Sequence, residues 1–219
     1  MRSVRRHRVF ALVLAAACAL PALASAAPDA KGAADAKAPA AAPAGSPRDL
    51  IVALTAKLDE RSRAGGSLAA LHAAIGTELR QHIDFDEMGR RALGDSYTGQ
   101  SEAEQTRFRE FLAKMVEQSY VKRFKPGRKV EVTVAEKVRT GKGGRAQVKT
   151  QIRVGGTRAD VAYSLHPTAQ GWKIYDIVVD EASQLSAYRK AFRKIVAEKG
   201  WKGLIERMEK SAAKGGAVE

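Results

Sequence analysis

Residues 172–192 read WKIYDIVVDEASQLSAYRKAF, and their hydrophobic period changes partway along. Residues 172–179 are rich in β-branched and aromatic side chains, which is typical of a strand. An acidic pair, Asp180-Glu181, follows. Beyond this pair the apolar side chains recur at helical spacing, and they are Leu185, Tyr188, Phe192 and Ile195. The stretch therefore predicts a strand that leads directly into an amphipathic helix.

Three earlier segments also alternate between apolar and polar side chains, at 130–134, 146–154 and 159–165. A period of two gives each strand one apolar face and one polar face. Turn-forming residues connect the segments over short distances, which favours antiparallel pairing. The apolar face needs a cover, and the predicted helices supply it. We therefore expect an α+β fold in which a curved antiparallel four-stranded sheet is covered on one face by a helical bundle.

The predicted helices precede the sheet in the chain. Ser46 and Pro47 are typical of a helix start, and the apolar stripe that follows them consists of Leu50, Ile51, Leu54 and Leu58. A second helix should begin at Ser67, and its apolar stripe consists of Leu68, Leu71, Ile75 and Leu79. Both stripes predict packing against a common core.

Two further helices begin with the pattern of a capping box, in which a cap residue and a glutamate three positions later bond to each other's backbone. Asp84 and Glu87 head a short helix that Gly94 should end. Ser101 and Glu104 head a long helix, whose apolar side chains are Phe108, Phe111, Leu112, Met115, Val116 and Tyr120. Each box predicts where its helix begins.

The sequence of residues 171–192 resembles GWKVYDVVIEGVSLVNNYRSQF, the signature of the MlaC family, which is also called the toluene-tolerance family. The positions that match without a gap are Gly171, Trp172, Lys173, Tyr175, Asp176, Ser183, Tyr188, Arg189 and Phe192. Two of the departures from the signature matter, and they are at neighbouring positions. Asp180 replaces a glutamate, and Glu181 replaces a glycine that could serve a tight turn.

Two of the helices extend the resemblance. Residues 84–94 are similar to the family's DFxxMARxVLG motif, with Gly89 where alanine is usual. The family's next helix is similar at Glu104-Gln105, Arg107-Phe108, Phe111 and Ser119-Tyr120. The matches are collinear from about residue 50 to residue 208. They therefore cover nearly all of a single predicted domain, 47–210.

The resemblance implies a periplasmic phospholipid-binding protein with a lipid cavity between the sheet and the helices. The acyl chains would lie inside this cavity, and the head group would stay near its mouth. The side chains expected to form the apolar wall are Leu112, Met115, Val116, Val148, Ile152, Val161, Tyr163, Phe192 and Ile195. Those expected at the mouth, near the head group, are Tyr120, Arg153, Tyr188 and Arg189.

The resemblance also implies partners. A monomeric carrier would move phospholipid between an outer-membrane lipoprotein and porin complex and an inner-membrane ABC transporter with a lipid-binding MCE-type component. This transport would maintain the lipid asymmetry of the outer membrane, with the phospholipid as cargo and no cofactor. Two alternatives stay open. The cargo could be another lipid such as a hopanoid, or the chain could be a non-lipid adaptor that docks partners through basic clusters, for example Arg189, Lys190, Arg193 and Lys194.

Residues 1–26 have the three parts of a secretory signal peptide. Four arginines precede an apolar run at 9–20, and the small residues Ala24-Ser25-Ala26 follow it. The run is shorter than the roughly 20 residues that span a bilayer. We therefore expect cleavage near Ala26 and export to the periplasm. The alternative is a lipoprotein anchored through Cys18, the only cysteine.

The composition of the remaining chain limits its partners. Removal of the signal peptide lowers the formal charge from +14 to +10 and leaves no cysteine, so no disulfide can form. A charge of this size suits anionic lipids, membranes or nucleic acid, and export argues against nucleic acid.

Residues 27–46 are rich in alanine and proline and predict a disordered linker, while residues 211–219 predict a flexible tail.

Patterns typical of catalysis or metal binding are hard to find in this sequence. The histidines of the exported chain, His72, His82 and His166, lie in different predicted elements, without a paired-histidine or paired-cysteine spacing. The pair Tyr175-Asp176 matches the family but suggests no reaction. We therefore expect a binding protein without a metal site and not an enzyme.

Overall fold

Helices form the first half of the described chain. The computed structural model describes residues 45–214 apart from positions 123 and 155, so the predicted signal peptide and most of the predicted linker lie outside the described residues. In chain order the helices are α1 (Pro47–Arg63), α2 (Leu68–His82), α3 (Phe85–Leu93), α4 (Asp95–Thr98), α5 (Glu102–Val121) and, after the strands, α6 (Gln184–Lys214).

One antiparallel sheet forms between α5 and α6. Its strands are β1 (Val130–Val134), β2 (Arg139–Thr140), β3 (Ala146–Val154), β4 (Thr157–Thr168), β5 (Gly171–Val179) and β6 (Ala182–Ser183). The strand order is β1-β3-β4-β5-β6, and β2 pairs with the start of β3. The predicted α+β fold with four long strands is confirmed. The structure adds two strands of two residues each, which are too short to show a hydrophobic period.

The register of the sheet gathers its apolar side chains on one face. Val148 of β3 lies opposite Tyr163 of β4, which lies opposite Ile177 of β5, and all three are buried. The apolar stripes of α1, α2 and α5 share one hydrophobic cluster with them. Leu68 departs from the prediction because it is 50% exposed, so the buried stripe of α2 begins at Leu71.

The predicted cap of α3 is present, but its capping box is not. The carboxylate of Asp84 accepts a hydrogen bond from the backbone N–H of Glu87 at 2.9 Å. The reciprocal bond is replaced, because the backbone N–H of Asp84 donates to the carbonyl of Ile174 at 2.8 Å. The carboxylate of Glu87 instead pairs with Arg91 at 2.6 Å. The start of α3 is therefore attached to β5.

The capping box of α5 is incomplete in the same way. The hydroxyl of Ser101 accepts from the backbone N–H of Glu104 at 3.3 Å, as predicted. The carboxylate of Glu104 accepts a hydrogen bond from the indole N–H of Trp201 at 2.8 Å. A tertiary contact with α6 has therefore replaced the local bond that the pattern predicted.

The predicted start of the flexible tail is wrong by four residues, because α6 continues to Lys214. Ser211 and Ala212 are buried, and the amide of Gln118 donates to the carbonyl of Ala212 at 2.8 Å. Their small side chains allow α6 to pack closely here, although the composition suggested a tail. The helix is kinked at Gly200, whose φ of 66° lies outside the helical region.

The acidic pair predicted as a link forms the tight turn between β5 and β6. Asp180 has φ 46° and Glu181 has φ 70°, so both adopt the left-handed conformation that glycine favours. The carboxylate of Asp180 accepts a hydrogen bond from the backbone N–H of Asp160 at 3.0 Å, whereas the side chain of Glu181 is exposed. Glu181 therefore occupies a position at which the family's glycine would be less strained.

We expect Glu181→Gly to stabilise the protein by about 0.5–1 kcal/mol, because the relief of a left-handed residue outweighs the entropy of a new glycine. Thermal denaturation followed by circular dichroism should show a melting temperature a few degrees higher. Asp180→Gly is the matched control, and it should give no net gain because it loses the bond to Asp160. A lower melting temperature for Glu181→Gly would contradict the inference that the backbone of Glu181 is strained.

Gly89 departs from another of the family's motifs, and the structure explains this departure. A Cβ at this position in α3 would lie 2.8 Å and 2.9 Å from ring atoms of Tyr97, and 3.1 Å from the ring of Phe108. Both rings are fully buried and contact each other edge to face. The ring of Tyr97 therefore fills the space that an alanine methyl group would need.

Gly89→Ala should destabilise the protein by about 1–2 kcal/mol, since overpacking costs roughly 1–3 kcal/mol and exceeds the gain of about 1 kcal/mol in helix propensity. Gly76→Ala in α2 is the control, because its Cβ would meet only the carboxylate of Glu117, at 3.4 Å. That variant should be neutral or more stable. Urea denaturation of both variants measures the difference, and equal stabilities would contradict the close packing of Tyr97.

Candidate functional site

A small cavity lies among β5, α3, α5 and α6, and it encloses about 50 Å³. Its lining residues are Ile83, Met88, Val116, Ser119, Tyr120, Ile174, Asp176, Ile177, Val179, Gln184 and Tyr188. The floor is made of buried apolar side chains, whereas Ser119 at the mouth is exposed. The cavity is therefore an apolar pocket with a polar mouth, between the sheet and the helices.

A β-bulge shapes the floor of this cavity. Along β5, Asp176 pairs with Ser164, but Ile174 pairs with the next residue of β4, so Tyr175 is an extra residue. Because of this shift, Ile174 and Ile177 are both buried, although regular alternation would place them on opposite faces. The bulge therefore gives the floor two large apolar side chains from one strand.

The connection between α2 and α3 completes the floor. Ile83 lies in this connection and forms an isolated bridge to Ile174 of β5. The backbone hydrogen bond from Asp84 to Ile174 holds the connection against the sheet. A further contact joins the carboxylate of Asp84 to the imidazole of His166 at 3.0 Å. Burial would raise the pKa of Asp84, but the hydrogen bonds with His166 and the backbone N–H of Glu87, together with the nearby charges of His166 and Arg90, lower it overall.

Asp176 and Tyr175, which suggested no reaction, have structural roles. The carboxylate of Asp176 accepts from the backbone N–H of Leu185 at 2.9 Å and from the hydroxyl of Ser183 at 2.7 Å, so it caps the start of α6. The guanidinium of Arg91 lies 4.1 Å from the centre of the Tyr175 ring, in a cation–π contact. Both residues therefore attach helices to β5.

Tyr188 is held rigidly on the α6 side of the cavity. Its ring stacks on that of Phe192, with the ring centres 5.3 Å apart. Burial raises the pKa of Tyr188 to about 12, and a hydrogen bond with Ser119 opposes this rise. The phenol therefore keeps its proton at any physiological pH. On the α5 side, the hydroxyl of Tyr120 lies 3.5 Å from that of Tyr163.

The structure brings only some of the expected site residues together. Val116, Tyr120 and Tyr188 line the cavity. The other expected wall residues do not line it. Those fully buried in the packed core are Leu112, Met115, Val148, Val161, Tyr163 and Phe192, and those partly buried against it are Ile152 and Ile195. Periodicity identified the faces on which these side chains lie, but it does not distinguish a solid core from a hollow one.

The two arginines expected at the mouth also lie elsewhere. Arg153 is exposed on β3, where it pairs with Arg158 and Glu131 of the neighbouring strands. The guanidinium of Arg189 donates to the carbonyl of Arg91 at 3.1 Å, near the end of α3. Arg189 therefore satisfies a helix terminus, because the last carbonyls of a helix lack partners within it.

Sequence reasoning missed most of the cavity lining. The residues it missed are Ile83, Met88, Ser119, Ile174, Asp176, Ile177, Val179 and Gln184. Ser119 could have been found, because it lies three positions after Val116 on the same side of α5. The bulge and the bridge of Ile83 to β5 have no comparable signal in a single sequence.

A second, open groove of about 440 Å³ lies beside the first cavity and shares Ile83 with it. Its charged side chains are of both signs and include Arg80, Asp86, Arg109 and Glu110. Within the described residues, no three histidine, aspartate or glutamate side chains are grouped to hold a metal ion. Among the described helices, none combines the length and the apolar character that crossing a membrane requires.

Comparison with known proteins agrees with the resemblance in the sequence. A solved structure, the phospholipid-binding protein from Ralstonia solanacearum in complex with a phospholipid, is similar with a TM-score of 0.70. The sequences are 14% identical, and the match covers 78% of this chain and 98% of that chain. No curated protein matches the chain significantly. The MlaC family model matches residues 49–210, which is well over half of the chain, and the protein therefore belongs to the MlaC family.

Proposed function

We propose that this protein is a phospholipid carrier, and that acyl chains enter it at the cavity among β5, α3, α5 and α6. Three observations support the proposal. The chain belongs to the MlaC family, a protein of the same fold binds a phospholipid, and the cavity has an apolar floor open to solvent through a polar mouth. The last observation carries the most weight, because it comes from this chain's own residues. Together the three observations support binding and transport of a lipid rather than catalysis.

The cavity must widen to hold a lipid, because about 50 Å³ is well below the roughly 300–1,000 Å³ of ligand sites. We propose that the helices separate from β5 around the existing space. A CH₂ group removed from water gains about 0.8 kcal/mol, so one long acyl chain gains on the order of 10 kcal/mol. That gain can offset the loss of contacts between the helices and the sheet.

The route of transport belongs to the same proposal. The carrier would act in the periplasm after removal of residues 1–26, and would pass phospholipid between an outer-membrane lipoprotein complex and an inner-membrane ABC transporter. A soluble carrier is needed there, since exposure of acyl chains to water prevents free passage at a useful rate. The positive charge of the exported chain supports contact with acidic partner surfaces or anionic membranes.

A two-chamber transfer experiment tests the carrier function. Vesicles containing a fluorescent phospholipid are separated from unlabelled vesicles by a membrane that passes protein but not vesicles. We expect labelled lipid to reach the second chamber at a rate that rises with protein concentration. The matched control is an equal concentration of Val116→Trp, a variant in which the new ring fills the cavity. Transfer no faster than in buffer would contradict the proposal.

A further inference from the structure

The mouth of the cavity is polar, but the donors it offers are uncharged. Its polar side chains other than Asp176 are Ser119, Tyr120, Gln184 and Tyr188. Among the described residues that line the cavity, none is a lysine, an arginine or a histidine. Arginine is the residue that best matches phosphate oxygens, in paired hydrogen bonds. The lining is therefore poorly suited to a phosphate and better suited to an uncharged acceptor.

The charge of Asp176 strengthens this argument. Its two carboxylate oxygens already accept hydrogen bonds from Leu185 and Ser183, so they hold α6 in place. A carboxylate donates no hydrogen bond, and its negative charge opposes a second anion nearby. A lipid phosphate would therefore stay outside this part of the cavity.

Tyr188 is the best placed donor of the lining. Its stacking on Phe192 restricts the ring, and its hydrogen bond with Ser119 restricts the hydroxyl group. The hydroxyl retains its proton at physiological pH, so it can donate one hydrogen bond while it accepts another. Tyr120 presents a second phenol from α5. A group that lies between the apolar floor and the solvent would meet these hydroxyls.

An ester-linked phospholipid has such a group. Its acyl chains are apolar, its phosphate is anionic, and the ester carbonyls between them are uncharged acceptors. Resting on the proposed function, we infer that the hydroxyls of Tyr188 and Tyr120 donate to an ester carbonyl of the bound lipid. The protein would thus select ester-linked glycerophospholipids over lipids that have no such carbonyl, such as ether-linked analogues or hopanoids.

A competition between two lipids tests this inference. The probes are dipalmitoyl phosphatidylglycerol and its dihexadecyl ether analogue, which share chains and head group but differ in the ester carbonyls. Delipidated protein is incubated with vesicles containing equal amounts of both, and bound lipid is counted by native mass spectrometry. We expect the parent to prefer the ester lipid about two- to tenfold, as for one hydrogen bond. Tyr188→Phe should remove most of this preference.

Tyr175→Phe is the matched control, because Tyr175 contacts Arg91 and does not line the cavity. It receives lipid from the same vesicles and should keep the parent's preference. Any difference in how readily the two lipids leave the vesicles affects every variant equally. Equal binding of both lipids by the parent would overturn the inference while leaving the carrier function intact. A preference that persists in Tyr188→Phe, Tyr120→Phe and the double variant would overturn the assignment to these hydroxyls. Binding of neither lipid would contradict the carrier function itself.

Discussion

Val148→Asp is expected to destabilise the protein severely. Val148 is 0% exposed in the core and lies opposite Tyr163, and it does not line the cavity. A carboxylate there would lose its hydration without gaining a partner, at a cost of about 4 kcal/mol or more. Domains are typically stable by only about 5–15 kcal/mol, so circular dichroism should show a greatly lowered melting temperature or no folded protein.

The control for this prediction is Lys149→Asp. Lys149 is the next residue of β3, and its side chain is exposed on the opposite face of the sheet. The same new side chain should therefore change stability by less than about 1 kcal/mol. A folded Val148→Asp protein that has lost its lipid would contradict the packed core, and would show that the lipid site extends along β3.

Val116→Trp is expected to weaken lipid binding strongly while the protein stays folded. Val116 is half-buried on α5 and lines the cavity, so a tryptophan ring would occupy the space into which an acyl chain must enter. Overpacking of this kind costs about 1–3 kcal/mol, which reduces lipid affinity by about ten- to a hundredfold if the bound state carries the cost. Lipid extraction followed by phosphate analysis measures the loss.

Val52→Trp provides the control for Val116→Trp. Val52 is 39% exposed on α1 and is absent from the cavity lining, so the same substitution should leave both folding and lipid content unchanged. Circular dichroism on the same samples separates loss of lipid from loss of structure. Parental lipid content in a folded Val116→Trp protein would show that acyl chains enter elsewhere.

Much of the fold could be predicted from the sequence, because its elements have strong local signals. The change of period after residue 179 correctly predicted β5 and the start of α6. The alternating segments correctly predicted β1, β3 and β4, whose apolar side chains face the helices. Such patterns succeed because burial of one face is a property of each segment separately. The predictions failed where a tertiary contact replaced a local one, as at Glu87 and Glu104.

The candidate site was less predictable, because it depends on relations between segments. Ile174 and Ile177 share one face only because Tyr175 is an extra residue opposite β4. Ile83 belongs to the site only because the connection between α2 and α3 pairs with β5. Neither a bulge nor a bridge leaves a hydrophobic period that could be detected in a single sequence. The family resemblance indicated that a cavity exists, but not which side chains form it.

Native mass spectrometry of freshly purified protein shows directly whether a phospholipid is bound. The protein is isolated without added lipid, and its mass is compared under native and denaturing conditions. If the protein is a phospholipid carrier, native spectra should show an added mass that disappears on denaturation, and extracts should identify it as phospholipid. A native mass equal to that of the protein alone, together with extracts free of phospholipid, would contradict the carrier function.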